Sequence, residues 1–487
     1  MKKNIIKISL AALTMFVSLT SCDRNLDQTS SINEEQNQAM TRPESFRQAM
    51  DGAYTALKGV GYYNGDTGNQ LIMGDLTTDN LVRTASGRNT NSAASNFEFS
   101  SDNSQTTGLY SAAYLVVSRT NFVLSYINNG VLSGAQKTNI EAEARALRAA
   151  AHFDIVRAYS QIPTQSAGAK NATGIYYSEN YNPSNTTSSR NLTVDQVYDK
   201  IIADLLFAVD NITQNDADKG RLSKAAVYGL LSRVNLYRGD YANTIKYGEL
   251  ALGLSPSITT LDNFTRIWKE NEGLSRITDG VLFQVSNAPA ELNTVGVAYN
   301  QSVPSIRSEF VVDYDLYTAY TANDIRKGAY FTTSTYSGQK YNHVTKYAGN
   351  GGPANIVPIK YLRSAEVLLN IAEAYYRTGN GAQALVLLNK LRAERYNPFT
   401  PGTETGQALL DAILKERRLE LAFENDRWYT LKRLGLSVQR SGKGDLFDGT
   451  GTPAVVQNLP AGSSKWQWPI PITAIQANPN IKQNDGY

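Results

Sequence analysis

Tyrosine rings that lie close in sequence to amide and charged side chains are the most distinctive chemical feature of this sequence. The chain has 29 tyrosines among 487 residues, but only two histidines and one cysteine. An aromatic ring can lie against the C–H face of a sugar, while Asn, Asp and Arg side chains bond its hydroxyl rim. The candidate binding residues of this kind are Tyr62, Tyr63, Asn64, Asp79, Asn80, Arg83, Tyr299 and Tyr336. Each tyrosine is also compatible with packing, and the sequence leaves both interpretations open.

A second group of charged residues has the composition of a catalytic site but the spacing of a structural network. Its members lie three or four residues apart and would share one helical face, with apolar residues opposite: Arg417, Glu420, Glu424 and Arg427. We predict an amphipathic helix with an ion-pair network at this position, and not a pair of catalytic carboxylates.

The sequence lacks the common enzyme signatures. His152 and His343 are far apart and have no metal-ligand spacing, and the position of His152 beside Phe153 in a predicted helix favours buried packing. Nucleophile-elbow, P-loop and dinucleotide-binding motifs are absent. We therefore predict no catalytic residue, cofactor or metal site. A hydrolase with two carboxylates at a set separation remains an alternative.

The amino terminus is predicted to carry a lipid. Lys2, Lys3 and Lys7 precede the apolar stretch 8–19, which is too short to span a bilayer. Small residues then lead to Cys22, the only cysteine, as in a bacterial lipobox. We expect a signal peptide over 1–21, a lipidated tether over 22–44 and a single domain over 45–487.

Removal of the signal peptide would also change the charge balance. The full chain has 47 basic and 44 acidic residues, and loss of three lysines would leave 44 of each. Nucleic-acid binding then has no electrostatic support, because a basic excess is what condenses on phosphates.

Helical periodicity dominates the rest of the chain and must position these residues. Two segments read as helical hairpins: 223–254, interrupted at Gly239, and 362–392, interrupted at Gly379. The second matches a tetratricopeptide unit, since Ile371, Ala372 and Ala384 fall on its signature positions. Insertions rich in Ser, Thr, Asn and Gly separate the helices, most plainly at 84–108 and 163–193. The prediction is a mainly α fold, with about four tetratricopeptide-like hairpins as a scaffold and an irregular, loop-rich part inserted between them.

Four segments, in this order, resemble the motifs of one family. They are 141–163 (EAEARALRAAAHFDIVRAYSQIP), 357–376 (VPIKYLRSAEVLLNIAEAYY), 416–435 (ERRLELAFENDRWYTLKRLG) and 469–487 (PIPITAIQANPNIKQNDGY). Together with the lipobox they resemble the SusD/RagB family of Bacteroidetes outer-membrane lipoproteins. The sequence departs from the family where Leu109 and Tyr110 replace a frequent tryptophan.

The resemblance implies a function for the chain. A member of this family is expected to be a non-enzymatic lipoprotein of the outer membrane, anchored through Cys22 and facing the cell exterior. It would capture an oligosaccharide and deliver it to a SusC-like, TonB-dependent outer-membrane transporter. Because the family also includes peptide importers, peptide capture is the alternative, and a cell-surface hydrolase is a more distant one.

Overall fold

The computed structural model describes residues 39–66, 68–215, 217–268, 279–286, 294–302, 305–348 and 358–487. Cys22 and the predicted signal peptide lie outside these ranges. The chain divides into two compact units, 1–48 and 49–487, and all contacts discussed below belong to the second.

Helices form most of the regular secondary structure of the described residues. They are α1 Pro43–Ala56, α2 Gln70–Leu76, α3 Ser92–Ser95, α4 Ser104–Tyr126, α5 Gly134–Tyr159, α6 Val194–Asn211, α7 Lys224–Arg238, α8 Tyr241–Leu254, α9 Leu261–Phe264, α10 Val295–Tyr299, α11 Tyr314–Ala319, α12 Ile325–Tyr330, α13 Ser364–Arg377, α14 Gly381–Ala393, α15 Gly406–Glu420, α16 Arg427–Arg433 and α17 Ile472–Ala477. In the described part, no helix is both long and apolar enough to cross a bilayer.

Both predicted hairpins are present, and each turns by the same device. Gly239 and Gly379 adopt positive φ angles of 83° and 85°, which lets the first helix of each pair end in a left-handed turn. Asp240 and Asn380 follow at once, and their side chains accept the Asn243 and Gln383 amide protons, respectively, so that the second helix begins.

The two hairpins are neighbours in space although they are far apart in sequence. Helix α8 packs against both α7 and α13, and α13 also packs against α14 and α15. Gly248 allows the close approach, because a Cβ at this position would lie 2.5 Å from Ile371 Cγ1. Ile371, Ala372 and Ala384 are buried, as the tetratricopeptide match predicts. Helices α4 to α7 extend the scaffold, each packing against the next, and the predicted helical fold class is confirmed.

Short antiparallel strand pairs organise the loop-rich part. The strands are β1 Leu81–Arg83, β2 Val281–Val285, β3 Gln301–Ser302, β4 Ile306–Arg307, β5 Phe310–Val312, β6 Phe331–Tyr336, β7 Gln339–Val344, β8 Ile359–Arg363, β9 Val438–Gln439 and β10 Asn458–Leu459. The pairs are β1–β5, β2–β8, β3–β4, β6–β7 and β9–β10. Two of them, β1–β5 and β2–β8, join segments that are distant in sequence, and the β1–β5 pair sets Arg83 opposite Phe310.

The predicted helix through Arg417 and Arg427 is two helices. Helix α15 ends at Glu420, and α16 begins at Arg427. Between them Phe423 and Asn425 have φ angles of 67° and 64°, which a helix cannot contain. The single-helix prediction is therefore wrong, because the charged residues keep their intervals of three and four positions across the tight turn that separates the two helices.

Candidate functional site

The structure brings several polar segments of the loop-rich part together into one surface. We call it the loop face, and define it as residues 64–66, 83–92, 305–309 and the β6–β7 hairpin 331–344. The β1–β5 pair joins the second and third segments, and Thr84 donates its amide proton to the Glu309 carbonyl at 3.0 Å. The face contains Asn64, Arg83 and Tyr336 from the predicted set.

Glu309 is the hub of the loop face. Its side chain is buried, and its carboxylate accepts hydrogen bonds from the Thr90 amide at 2.5 Å and the Asn91 amide at 3.1 Å. The same carboxylate accepts from Arg88 Nε at 3.1 Å. A buried carboxylate that receives backbone donors fixes the loop that supplies them. Glu309 therefore holds the loop around residue 90 in place.

Arg88 connects this hub to the neighbouring loop. Its Nη1 donates to Asp66 Oδ2 at 2.6 Å, while its side chain keeps 29% of its surface exposed. Partial burial lowers the pKa of Arg88, but the carboxylates of Asp66 and Glu309 outweigh burial and raise it above the ordinary value. Arg88 is thus a fixed, permanently charged group of the loop face.

Tyr336 supplies the aromatic ring of the loop face. It is half-buried at the end of β6, and the Arg307 guanidinium carbon lies 5.9 Å from its ring centroid. Arg307 is itself held by a hydrogen bond from Nε to the Ser86 carbonyl at 3.0 Å. A partly exposed ring beside a fixed guanidinium offers an apolar face and charged donors together.

Asn64 and Arg83 complete the polar part of the surface. Both are half-buried, and the Asn64 side-chain oxygen accepts the Thr294 amide proton at 3.0 Å. Arg83 Nη1 donates to Ser92 Oγ at 3.1 Å. These contacts fix both side chains at the loop face.

Three predicted binding tyrosines lie in the interior instead. Tyr62, Tyr63 and Tyr299 are between 0% and 3% exposed, so their rings present no face to a ligand. The Tyr62 hydroxyl donates to Asp154 Oδ2 at 2.7 Å, and the Tyr63 hydroxyl donates to the same atom at 3.2 Å. Tyr299 packs edge-on against aromatic neighbours. Burial raises the pKa of all three well above its ordinary value. The prediction that these rings stack on a ligand is therefore wrong.

Asp79 and Asn80 are also structural. Both oxygens of the buried Asp79 carboxylate accept from Arg427, at 2.8 and 2.7 Å, and Arg418 lies 3.2 Å away. Burial raises the pKa of Asp79, but the two arginines outweigh it and hold the pKa below its ordinary value. The Asn80 side-chain oxygen accepts from Arg418 Nε at 2.8 Å, and Asn80 is fully buried. Neither residue reaches a ligand at the surface, which corrects the sequence prediction.

The charged residues at the end of α15 form ion pairs, but their partners lie outside the predicted set of four. Glu420 pairs with Arg395 at 2.8 Å and with Arg363 at 2.7 Å, and Glu424 pairs with Arg363 at 2.6 Å. Glu420 is fully buried, and although burial raises its pKa, the guanidinium groups lower the pKa far below its usual range. A carboxylate with this surround has no access to substrate, so the structural interpretation is confirmed.

The two histidines are buried and apart from each other. His152 stacks on Tyr177 with ring centroids 3.9 Å apart, as the packing interpretation predicts. His343 Nδ1 lies 2.7 Å from Ser308 Oγ beneath the loop face. Among the described residues no group of three His, Cys, Asp or Glu side chains could hold a metal ion.

The loop face was only partly predictable. Glu309 and Arg88 escaped sequence reasoning because they lie in segments without periodicity, and no motif marks either one. The pairing of Glu309 with the amides of 90 and 91 spans more than two hundred residues. The only available signal was that residues 84–108 form a long polar insertion.

Two family models match the chain in succession. A model described as "Starch-binding associating with outer membrane" matches residues 26–236, and the model of the SusD family matches residues 267–487. A similar relative is the SusD-like protein P2 of Formosa agariphila, 26% identical over 90% of this chain and 93% of its own length.

Solved structures have the same fold. A SusD superfamily protein from Bacteroides thetaiotaomicron superposes with a TM-score of 0.78 at 22% identity, covering 91% of this chain and 99% of its own. A laminarin-binding SusD-like protein superposes with a TM-score of 0.70 at 22% identity, covering 92% of this chain and 100% of its own.

Proposed function

The chain belongs to the SusD/RagB family, and we propose that it binds an oligosaccharide at the cell surface and delivers it to a SusC-like, TonB-dependent outer-membrane transporter. It catalyses no reaction on that ligand. The family model over residues 26–236 supports association with the outer membrane. The description of this family model as starch-binding, and the name of the laminarin-binding structural neighbour, support a glycan as the ligand.

The observation that carries the proposal is the pairing of Tyr336 with Arg307 on the loop face. The exposed part of the ring can stack on a sugar, and the arginine beside it can donate to ring hydroxyls. Arg88 and Asn64 add further polar groups on the same surface. Because all four are held by contacts within the protein, little conformational entropy is lost when a sugar binds.

The absence of catalysis in this proposal is supported by how the carboxylates are used. Glu309 is buried and bonded to backbone amides, while Glu420 and Glu424 are saturated by arginines. A glycosidase needs one carboxyl group poised as an acid and a second beside the sugar. These three carboxylates are committed to structure instead.

Anchoring through Cys22 would place this surface at the membrane. More than one acyl chain makes attachment durable, whereas a single chain gives only marginal binding. The residues that follow Cys22 are polar and would act as a tether between lipid and domain. The tether would let the loop face approach the transporter.

Calorimetry tests the ligand class and the site together. Purified protein is titrated with oligosaccharides of the starch and laminarin types and with peptides, and each mixture is then chromatographed. We expect heat from at least one oligosaccharide, a micromolar or weaker Kd, and unchanged ligand afterwards. Tyr336→Ala should weaken binding about fivefold, since a stacked ring contributes roughly 1 kcal/mol, while Tyr336→Phe keeps the ring and should bind normally.

Tyr241→Ala is the matched control. Tyr241 is a half-buried tyrosine at the start of α8, on the helical scaffold. Its removal should leave glycan affinity unchanged. Heat from peptides alone would favour peptide capture, and a shortened glycan would show a hydrolase. Equal loss of affinity in the Tyr241 and Tyr336 variants would reject the loop face as the site.

A further inference from the structure

A second polar groove lies between the carboxyl-terminal segment and the turn after α5. Its volume is about 470 Å³, which is within the size range of small-molecule sites. It shares no residue with the loop face. Its lining is dominated by hydroxyl and amide side chains, together with three charged residues, Arg190, Lys482 and Asp485.

Arg190 is a buried cation in the wall of this groove. Its Nε donates to the Gly174 carbonyl at 2.8 Å, and its Nη1 donates to the Lys482 carbonyl at 2.8 Å. Its Nη2 reaches only neutral oxygens, at 3.4 and 3.5 Å. No carboxylate among the described residues pairs with it, unlike the other buried arginines discussed above. Burial therefore lowers the pKa of Arg190, and an anion beside it would be stabilised.

The lining of the groove also offers amide donors. Gln165 Oε1 accepts from the Ile162 amide at 3.1 Å and from Gln467 Nε2 at 3.2 Å, which fixes the orientation of this amide. Gln161 Oε1 accepts from Ser166 Oγ at 3.1 Å. The Nε2 groups of Gln161 and Gln165 donate to no described residue. Both are therefore available to a ligand in the groove.

The charge of the lining is positive. Arg190 and Lys482 contribute two cations, and Asp485 contributes one carboxylate. Lys482 is exposed, and its ammonium group pairs with no described carboxylate. The groove thus combines one buried and one exposed cation with amide and hydroxyl groups.

We propose that this groove is a second ligand site, which takes an anionic sugar with its carboxylate toward Arg190 and Lys482. The amides of Gln161 and Gln165 bind the hydroxyl groups of the same sugar. The polar lining suits a polyhydroxylated ligand better than an apolar acid, because hydroxyl groups replace the water that the amides would otherwise bind. This site shares no residue with the loop face, and would bind its ligand in addition to the ligand of the loop face.

Ligand-observed NMR titration of the full purified chain tests the site, with sodium glucuronate as probe and glucose as its neutral match. We expect saturable binding of glucuronate and at least fivefold weaker binding of glucose. Lys482→Gln should weaken glucuronate binding about fivefold, the size of one exposed ion contact. Gln165→Glu keeps the acceptor oxygen that the Ile162 amide needs, but places a negative charge in the groove, and should abolish binding.

Lys170→Gln is the matched control, because Lys170 is exposed nearby but does not line the groove. It should bind glucuronate normally, and so should Tyr336→Ala, whose change lies on the loop face. Absence of saturable glucuronate binding would overturn the proposal. So would glucose affinity equal to that of glucuronate, or normal binding by a folded Gln165→Glu variant. None of these outcomes would affect glycan binding at the loop face.

Discussion

Replacement of Asp75 by Asn should remove a pH-dependent loss of stability. Asp75 is fully buried in α2, and its Oδ1 accepts from Asn80 Nδ2 at 2.7 Å and from the Phe423 amide at 3.1 Å. Its Oδ2 has no hydrogen-bond partner among the described residues. Burial raises the pKa of Asp75 from 3.8 to about 7, against the opposing effect of these hydrogen bonds.

The sign and size of the effect follow from proton linkage. Between its unfolded pKa of 3.8 and its folded pKa of about 7, the folded state holds a proton that the unfolded state has lost. Stability is therefore highest below the lower pKa, falls as pH rises toward 7, and is constant above it. From pH 5 to pH 8 this one group should cost about 3 kcal/mol, at 1.36 kcal/mol for each pKa unit.

Asn is the natural probe because it is isosteric and cannot ionise. Its side-chain oxygen can still accept from Asn80 and Phe423, so the variant should keep the local structure. We expect the wild-type free energy of unfolding to fall by about 3 kcal/mol more between pH 5 and pH 8 than that of Asp75→Asn. Urea denaturation at both pH values measures this double difference, in which other titrating groups cancel.

Asp210→Asn serves as the control, since Asp210 is exposed on α6. Its free energy of unfolding should follow the wild-type pH dependence within about 0.5 kcal/mol. If Asp75→Asn and wild type lose the same stability between pH 5 and pH 8, Asp75 is ionised throughout this range. Burial would then not raise the pKa of Asp75 as described.

Three further variants test separate parts of the structure. Arg427→Ala breaks a largely buried pair with Asp79 and should lower the free energy of unfolding by about 1–3 kcal/mol, with glycan affinity in the folded fraction unchanged. Normal stability with loss of glycan binding would instead show that this pair belongs to the binding site. Tyr62→Ala together with Tyr63→Ala should destabilise the fold by more than about 3 kcal/mol in urea titration, and selective loss of glycan binding at normal stability would contradict the burial of these rings. Cys22→Ala should appear in the soluble fraction of cells that lack the transporter, and its persistence in membranes would contradict anchoring at this residue.

Features with a local physical cause could be predicted from the sequence. The turns at Gly239 and Gly379 follow from one residue type that tolerates a positive φ, together with the polar cap that comes next. The buried positions of α13 and α14 follow from helical periodicity. The structural role of Glu420 could be predicted from its charged neighbours, but its partners Arg363 and Arg395 could not, because they lie in other segments.

Features that depend on distant partners could not be predicted. The spacing around Glu420 continues through Phe423 and Asn425, and only the positive φ angles reveal the turn. In the sequence, Asp79 looks like a ligand-binding residue at the surface. Only the structure shows that it pairs with Arg427, 348 positions further along the chain. Tyr336 remains a binding candidate for a physical reason, since it lies at the end of a short hairpin and no distant segment covers it completely.

The abundance of tyrosine has a structural explanation that differs from ligand stacking. Tyr62, Tyr63 and Tyr361 all donate their hydroxyl protons to Asp154 Oδ2, at 2.7, 3.2 and 3.3 Å, and Arg157 binds the other oxygen at 2.5 Å. One buried carboxylate on α5 is thus reached from the loop before α2 and from strand β8. Tyrosine can make this contact because its ring packs in an apolar interior while its hydroxyl group donates to the buried carboxylate. The loop face therefore rests on interior tyrosines, and in the proposed function only the few side chains that reach its surface would contact a ligand.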